Sequence, residues 1–166
     1  METSIWSTVP WGLVFAYFGV AFSASLAGMG SAAGVSIAAN AADGVMAEDP
    51  DKFGQLVVLV ALPGTQGIYG LLIGFLILLK IGGISATQET ISIAQGLALF
   101  AGSLPMGIVG YASGVAQGRA AAAGIGMVAR KPEESGKAIT TTVLVETYAV
   151  LALLISFLVV QFVNIV

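Results

Sequence analysis

Four apolar runs, each long enough to cross a bilayer, occupy most of this chain and leave it few architectures. They span roughly residues 10–47, 51–80, 87–129 and 133–163. A hydrocarbon core of about 30 Å needs roughly 20 helical residues. Their apolar character is continuous rather than alternating, which selects helices over barrel strands. Only 9% of residues are charged and the mean hydropathy is +0.98, whereas soluble domains carry about 25% charged residues. The N-terminal METSIWSTVPWG has no basic residue before its apolar run. It is expected to open the first span with interfacial tryptophans rather than to form a cleavable signal peptide.

Cysteine and histidine are both absent. That excludes disulfides, thiolate or imidazole metal sites, and Ser-His or Cys-His catalysis. A net charge of −3 gives no reason to expect nucleic acid as a partner. The fragment SGKAIT has a Gly-Lys pair, but Ala138 stands where a P-loop needs Ser or Thr, and the upstream glycine is missing. The chain is expected to bind no nucleotide and to have no catalytic activity of its own.

The sequence repeats itself. GSAAGVSIAANAADGVMAEDPDKFG (30–54) matches GYASGVAQGRAAAAGIGMVARKPEESGK (110–137) in outline. On the glycines, Gly30 and Gly34 pair with Gly110 and Gly114 at an offset of 80; on the turns, Pro50 and Gly54 pair with Pro132 and Gly136 at 82. The second copy is therefore expected to be two residues longer. Each copy reads as a helical hairpin, residues 1–82 and 83–166, and such internal repeats are common in membrane transport proteins. The fold class is thus an all-α membrane protein of four transmembrane helices in two tandem hairpins. Both hairpins run in the same direction, so both turns share one face. The turns hold Lys52, Arg130, Lys131 and Lys137, with Lys80 at the other end, a bias that makes the turn side cytoplasmic and puts both termini on the opposite face.

Small residues recur every four positions: Gly30, Gly34 and Ala38 in the first span, Gly110, Gly114, Gly118 and Ala122 in the third. This pattern lets helix backbones approach closely. It suits either a tight inner ring of helices from several subunits or a single four-helix bundle with close helix pairs.

Nearly all fifteen charged side chains lie at expected helix ends. Asp43 lies about two helical turns before its own turn. Arg119 lies deeper and is expected either to snorkel or to belong to a helix that extends past the bilayer. Glu146, in TTVLVETYAVLALLISFL, lies about 21 Å along its helix from Pro132, at the helical rise per residue. An ionisable group at such depth costs at least roughly 2.5 kcal/mol and is a functional-site hypothesis by default. Depth also brings polar partners to it. By the same rise, Thr65 and Gln66 lie roughly 23 Å past Pro50, and Gln117 roughly 23 Å before Pro132. Three helices therefore raise Thr65, Gln66, Gln117 and Glu146 to one level. They offer a carboxylate, a hydroxyl and two amide carbonyls, an oxygen set suited to a hard cation. In LPGTQGIYG (62–70), Pro63 opposes the carbonyl of Leu59 and frees backbone oxygens, while Gly64 and Gly67 permit distortion and close approach. Tyr69 and Tyr148 are within range to donate phenolic hydrogen bonds to the carboxylate, although packing is the simpler role for Tyr148.

LPGTQGIYG, SGVAQGRAAAAG and VETYAVLALLISF closely resemble the proteolipid ring subunit of V-type rotary ATPases, and in particular the bacterial sodium-translocating type. The likeness spans essentially the whole chain. It implies a closed homo-oligomeric ring of four-helix subunits, filled by membrane lipids, in a bacterial plasma membrane. The ring turns against a stator subunit that carries an arginine. A central stalk docks on the cytoplasmic turns, and ATP is hydrolysed in other subunits. The resemblance makes Glu146 the ion-carrying carboxylate. It assigns Thr65, Gln66, Gln117 and the Leu62 carbonyl as Na⁺ ligands, and Tyr69 as the hydrogen bond that locks the glutamate. Two other readings stand beside it. The same rotor is able to carry H⁺, with the polar residues as a hydrogen-bonding frame. A passive channel or a structural tetraspan protein would use them as interhelical glue; a channel, however, needs polar residues along a whole helix face, and this chain has one belt at one depth.

Overall fold

The computed structural model describes residues 8–83 and 91–165. Among them are five α-helices: α1 (Trp11–Glu48), α2 (Phe53–Ala61), α3 (Thr65–Lys80), α4 (Ile93–Arg130) and α5 (Ser135–Phe162). A 3-10 turn at Leu62–Gly64 joins α2 to α3, so Pro50–Lys80 makes one interrupted segment, and the described residues hold four helical segments long and apolar enough to span a membrane. The first, second and fourth expected spans hold to within a residue, and the third ends as expected; α4, however, begins only at Ile93, behind the Ser92 cap, six residues after the expected start at 87, and residues 84–90 lie outside the described residues. At 38 residues, α1 and α4 are each about 57 Å long. They overreach a hydrocarbon core of roughly 30 Å.

Local chemistry sets the helix ends. Pro50 and Pro132 open the returning segments as the first residues of 3-10 turns, where a missing N–H costs nothing. Ser92 and Gln95 form a reciprocal capping box that starts α4. The α3 span ends at Gly82 and Gly83, whose φ values of 77° and 69° lie in the left-handed region that glycine enters without strain. Lys52 donates to the carbonyl of Ala129 at 2.8 Å and pairs with Asp49. It thereby ties the two turns together at one end of the molecule.

The central contact is α1 against α4, two parallel helices. A Cβ at Gly34 would collide with the Gly114 carbonyl, one at Gly30 with Tyr111, and one at Gly118 with Gly34. Backbones approach this closely only without side chains between them. The small-residue stripe is therefore used inside the subunit, as a close helix pair. On the outer side, α3 packs on α1 through Gly67 and Gly70, which meet Ser31, Ser23 and Ala27, and α5 packs on α4. Two buried apolar clusters fill the bundle, one around Leu99, Met106 and Ile77 and one near the turns around Leu56, Leu59 and Ile125. Ile68, Leu71, Leu72 and Phe75 on α3 and Leu151, Leu154 and Ile155 on α5 are exposed, an apolar outer surface fit for lipid.

The repeat differs from its expected register. Both inner helices have 38 residues and begin 82 positions apart, so the second copy is not two residues longer. At the constant offset Gly110 corresponds to Gly28, not Gly30, and Ser113 corresponds to Ser31. Glycines recur every four residues in both helices, and such a pattern aligns almost equally well at several registers.

Candidate ion-binding site

The site forms where α3, α4 and α5 meet at the level of the kink in the second span. Pro63 is the origin of that kink: it has no N–H to donate and crowds the preceding turn. The backbone tightens to a 3-10 turn, and the Thr65 N–H bonds to the Leu62 carbonyl. Thr65 Oγ1 donates to the same carbonyl at 3.0 Å. Sequence reasoning about Pro63 singles out Leu59, but this turn makes Leu62 the carbonyl that faces Thr65.

Glu146 on α5 is half-buried, and among the described residues it has no Lys or Arg partner. Tyr69 Oη donates to its Oε1 at 2.5 Å. Gln117 Nε2 donates to its Oε2 at 3.4 Å and to the Thr142 carbonyl at 3.2 Å. Gln117 Oε1 in turn accepts from Gln66 Nε2 at 2.5 Å, and Gln66 Oε1 accepts from Thr65 Oγ1 at 3.5 Å. Gln66 and Gln117 are fully buried. No buried side-chain N or O among the described residues lacks a partner, as desolvated polar groups require. Every residue expected at the site thus belongs to one connected network, with Tyr148 as the exception. That side chain is 67% exposed and packs outward.

Sequence reasoning missed Ser113 and Thr142. Ser113 Oγ accepts from Gln66 at 3.3 Å and donates to the Val145 carbonyl at 3.2 Å. It lies one turn before Gln117 on the same face of α4, and that spacing was the available signal. Its counterpart Ser31 accepts the Gly67 N–H at 2.8 Å. Equivalent serines therefore brace the outer helix in both hairpins. On the outer side, Glu146 borders a shallow groove lined by Val143, Thr147, Val150 and Leu151.

The network provides one ionisable group within reach of several oxygen atoms, at a depth where water is scarce. Such a set can hold and release one small cation or proton. No cluster of three or more acidic, histidine or cysteine residues occurs among the described residues.

The family model for the ATP synthase C (proteolipid) protein matches the chain twice, at residues 18–77 and 100–159. The chain belongs to the ATP synthase C family. Both ends of the match shift by the same amount, from 18 to 100 and from 77 to 159, in agreement with the constant offset of the helices. The chain is 45% identical over 149 residues to V-type sodium ATPase subunit K of Enterococcus hirae, covering 90% of this chain and 92% of that protein. It is 40% identical over 146 residues to A-type ATP synthase subunit K of Methanocaldococcus jannaschii, covering 88% of this chain and 61% of that longer protein. Membership makes this chain an integral membrane proteolipid, a rotor subunit rather than a catalytic one. It implies a homo-oligomeric ring among the other subunits of an ATPase.

Proposed function

We propose that this chain is the rotor-ring subunit of a V-type ATPase, and that each copy carries one Na⁺ on Glu146 across the membrane as the ring turns. The observation that supports it best is a lone carboxylate with no cationic partner among the described residues, framed by oxygen-bearing groups from three helices. The ligands assigned are Glu146, Gln117, Thr65, Gln66 and the carbonyl of Leu62. Gln117 supplies its Oε1 by rotating its amide, together with that of Gln66, which exchanges the N–H bonds to Glu146 and the Thr142 carbonyl and the bond accepted from Gln66 for a contact to the ion. Tyr69 holds the free carboxylate oxygen and locks the loaded site. One Na⁺ on one carboxylate is neutral, which lets the site move past lipid.

The rest of the machine follows from that reading. Residues 1–82 and 83–166 are the two halves of the subunit, both derived from one hairpin. The turns face the cytoplasm and meet a central stalk, while ATP is hydrolysed elsewhere in the complex. A stator subunit reaches Glu146 through the groove beside Val143, Thr147, Val150 and Leu151, and its arginine displaces the ion. The membrane is a bacterial plasma membrane. One carboxylate for four helices means fewer charges per turn. Moving each charge costs about 2.3 kcal/mol per 100 mV, so fewer charges leave more ATP energy for each and favour a pump.

Equilibrium binding of radioactive sodium to the purified ring tests the reading. One Na⁺ per chain, lost in Glu146→Gln, is the expected result. Sodium binding that survives this substitution removes Glu146 as the carrier. A ring that binds no Na⁺, in a complex that acidifies vesicles without it, points to the proton-carrying alternative.

A further inference from the structure

Two charged side chains of the inner helices belong to neither the ion site nor the turns: Asp43 on α1 and Arg119 on α4. Both are exposed, and neither has an ion-pair partner within the subunit among the described residues. Each faces away from the helix pair. Asp43 lies nine positions beyond Gly34, and Arg119 nine beyond Gly110. Gly34 and Gly110 mark the surfaces through which α1 and α4 touch each other. That separation is about two and a half turns, so Asp43 points off the free side of α1 and Arg119 off the free side of α4. Arg119 is also turned away from α5, since it stands two positions after Gln117, roughly 200° around the helix.

The repeat tells what lies beyond those free sides. In a closed ring the free side of α4 meets the free side of the next copy's α1. With an offset of 82, that contact repeats the α1–α4 contact inside the subunit. The counterpart of Asp43 is Ile125, buried in one cluster with Ala38 and Ala42 of α1. The counterparts of Ala38 and Ala42 are Ala120 and Gly124. Asp43 is therefore carried to the stretch of the neighbouring α4 that begins immediately after Arg119. The apolar contact inside the subunit becomes a charged one between subunits.

We propose that Arg119 of each copy forms an ion pair with Asp43 of the adjacent copy, a clip that closes the inner ring and sets its register. By helical rise, Arg119 lies about 20 Å before Pro132 and Asp43 about 11 Å before Pro50. With the turns level, the axial gap is roughly 9 Å, which a long arginine stem lying along the apolar helix surface bridges. Asn40, exposed one turn before Asp43, sits between them and adds an amide acceptor. Opposite charges on opposite free sides also forbid a face-to-face arrangement of copies, which would oppose like charges. The inference rests on the ring reading above.

The test is the temperature at which purified rings dissociate to monomers in detergent, for the wild type, Asp43→Asn, Arg119→Gln, the double variant, and the charge exchange Asp43→Arg with Arg119→Asp. Each single substitution should lower it, the double should fall no further than the worse single, and the exchange should recover most of the loss. Additive losses, or an exchange that is worse than either single, overturn the pair. An Arg119→Gln loss that is the same whether or not Asp43→Asn is present assigns the arginine to another anion, such as a lipid phosphate, and likewise overturns it. A wild type with no ring at all overturns the ring reading first, and the pair with it.

Discussion

The first hairpin has Gly64 where the second has Glu146, and Val35 where the second has Gln117. Conversely, Thr65, Gln66 and Tyr69 of the first hairpin correspond to Thr147, Tyr148 and Leu151 in the second, all of which are exposed. The scaffold is the same in both copies: equal inner-helix lengths, a proline at each turn, and Ser31 and Ser113 bracing each outer helix. The chemistry is not. One hairpin keeps the carboxylate and its amide partner, while the other keeps the hydroxyl, the second amide and the tyrosine. In this duplicated fold the polar groups of the one network are thus divided between the two hairpins. Each hairpin has an apolar or exposed residue where the other carries a polar group of the network.

The largest effect should come from breaking this division. Glu146→Gln should abolish ATP-driven sodium uptake into membrane vesicles while the ring still assembles, and uptake that persists would contradict the assignment. Adding Gly64→Glu to that variant should not restore uptake, because Val35 stands in place of an amide at the equivalent site. Restored uptake would mean that the first hairpin retains a working frame.

The next effect concerns packing. Gly114→Ala puts a methyl into the backbone of Gly30 and should lower subunit stability by about 1–3 kcal/mol, measured by thermal unfolding in detergent. The corresponding first-hairpin change, Ala32→Gly at an exposed position, should cost only about 0.5–1 kcal/mol. Equal effects would show that the two helices are not used differently.

Within the site, Gln117→Ala and Thr65→Ala should each weaken Na⁺ binding roughly 10- to 100-fold, the value of about 1.5–3 kcal/mol for a contact to a charged group. Calorimetric titration would read it, and unchanged affinity would remove that residue from the ligand set. Tyr69→Phe should have the smallest effect. It deletes one hydrogen bond to the carboxylate and should raise the sodium concentration for half-maximal transport a few-fold, in line with about 1 kcal/mol. No change would leave Tyr69 as packing.

Length and polarity make the spans legible, since only apolar helices satisfy their backbones in lipid. Counting from Pro50 and Pro132 places Thr65, Gln66, Gln117 and Glu146 at one depth, and rise per residue alone makes that arithmetic hold. What sequence leaves open is which faces meet. Gly30 and Gly34 carry the same close-contact pattern whether their partner is the same chain or a neighbour. Register between two glycine-rich helices has the same ambiguity, which is why glycine spacing pairs Gly110 with Gly30 while the helix starts pair it with Gly28. Ser113 escapes sequence reasoning because a serine in an apolar helix commonly bonds its own backbone; its bond to Gln66 depends on how α3 and α4 cross.

The most direct measurement is the rate at which a carbodiimide modifies Glu146, with and without Na⁺ at fixed pH and ionic strength. The reagent attacks a protonated carboxyl in an apolar setting. If Glu146 and its oxygen frame are a sodium site, Na⁺ should slow the reaction and K⁺ at the same concentration should not. A rate that follows pH and ignores Na⁺ would contradict the account, and would make Thr65, Gln66 and Gln117 the hydrogen-bonding frame of a proton carrier.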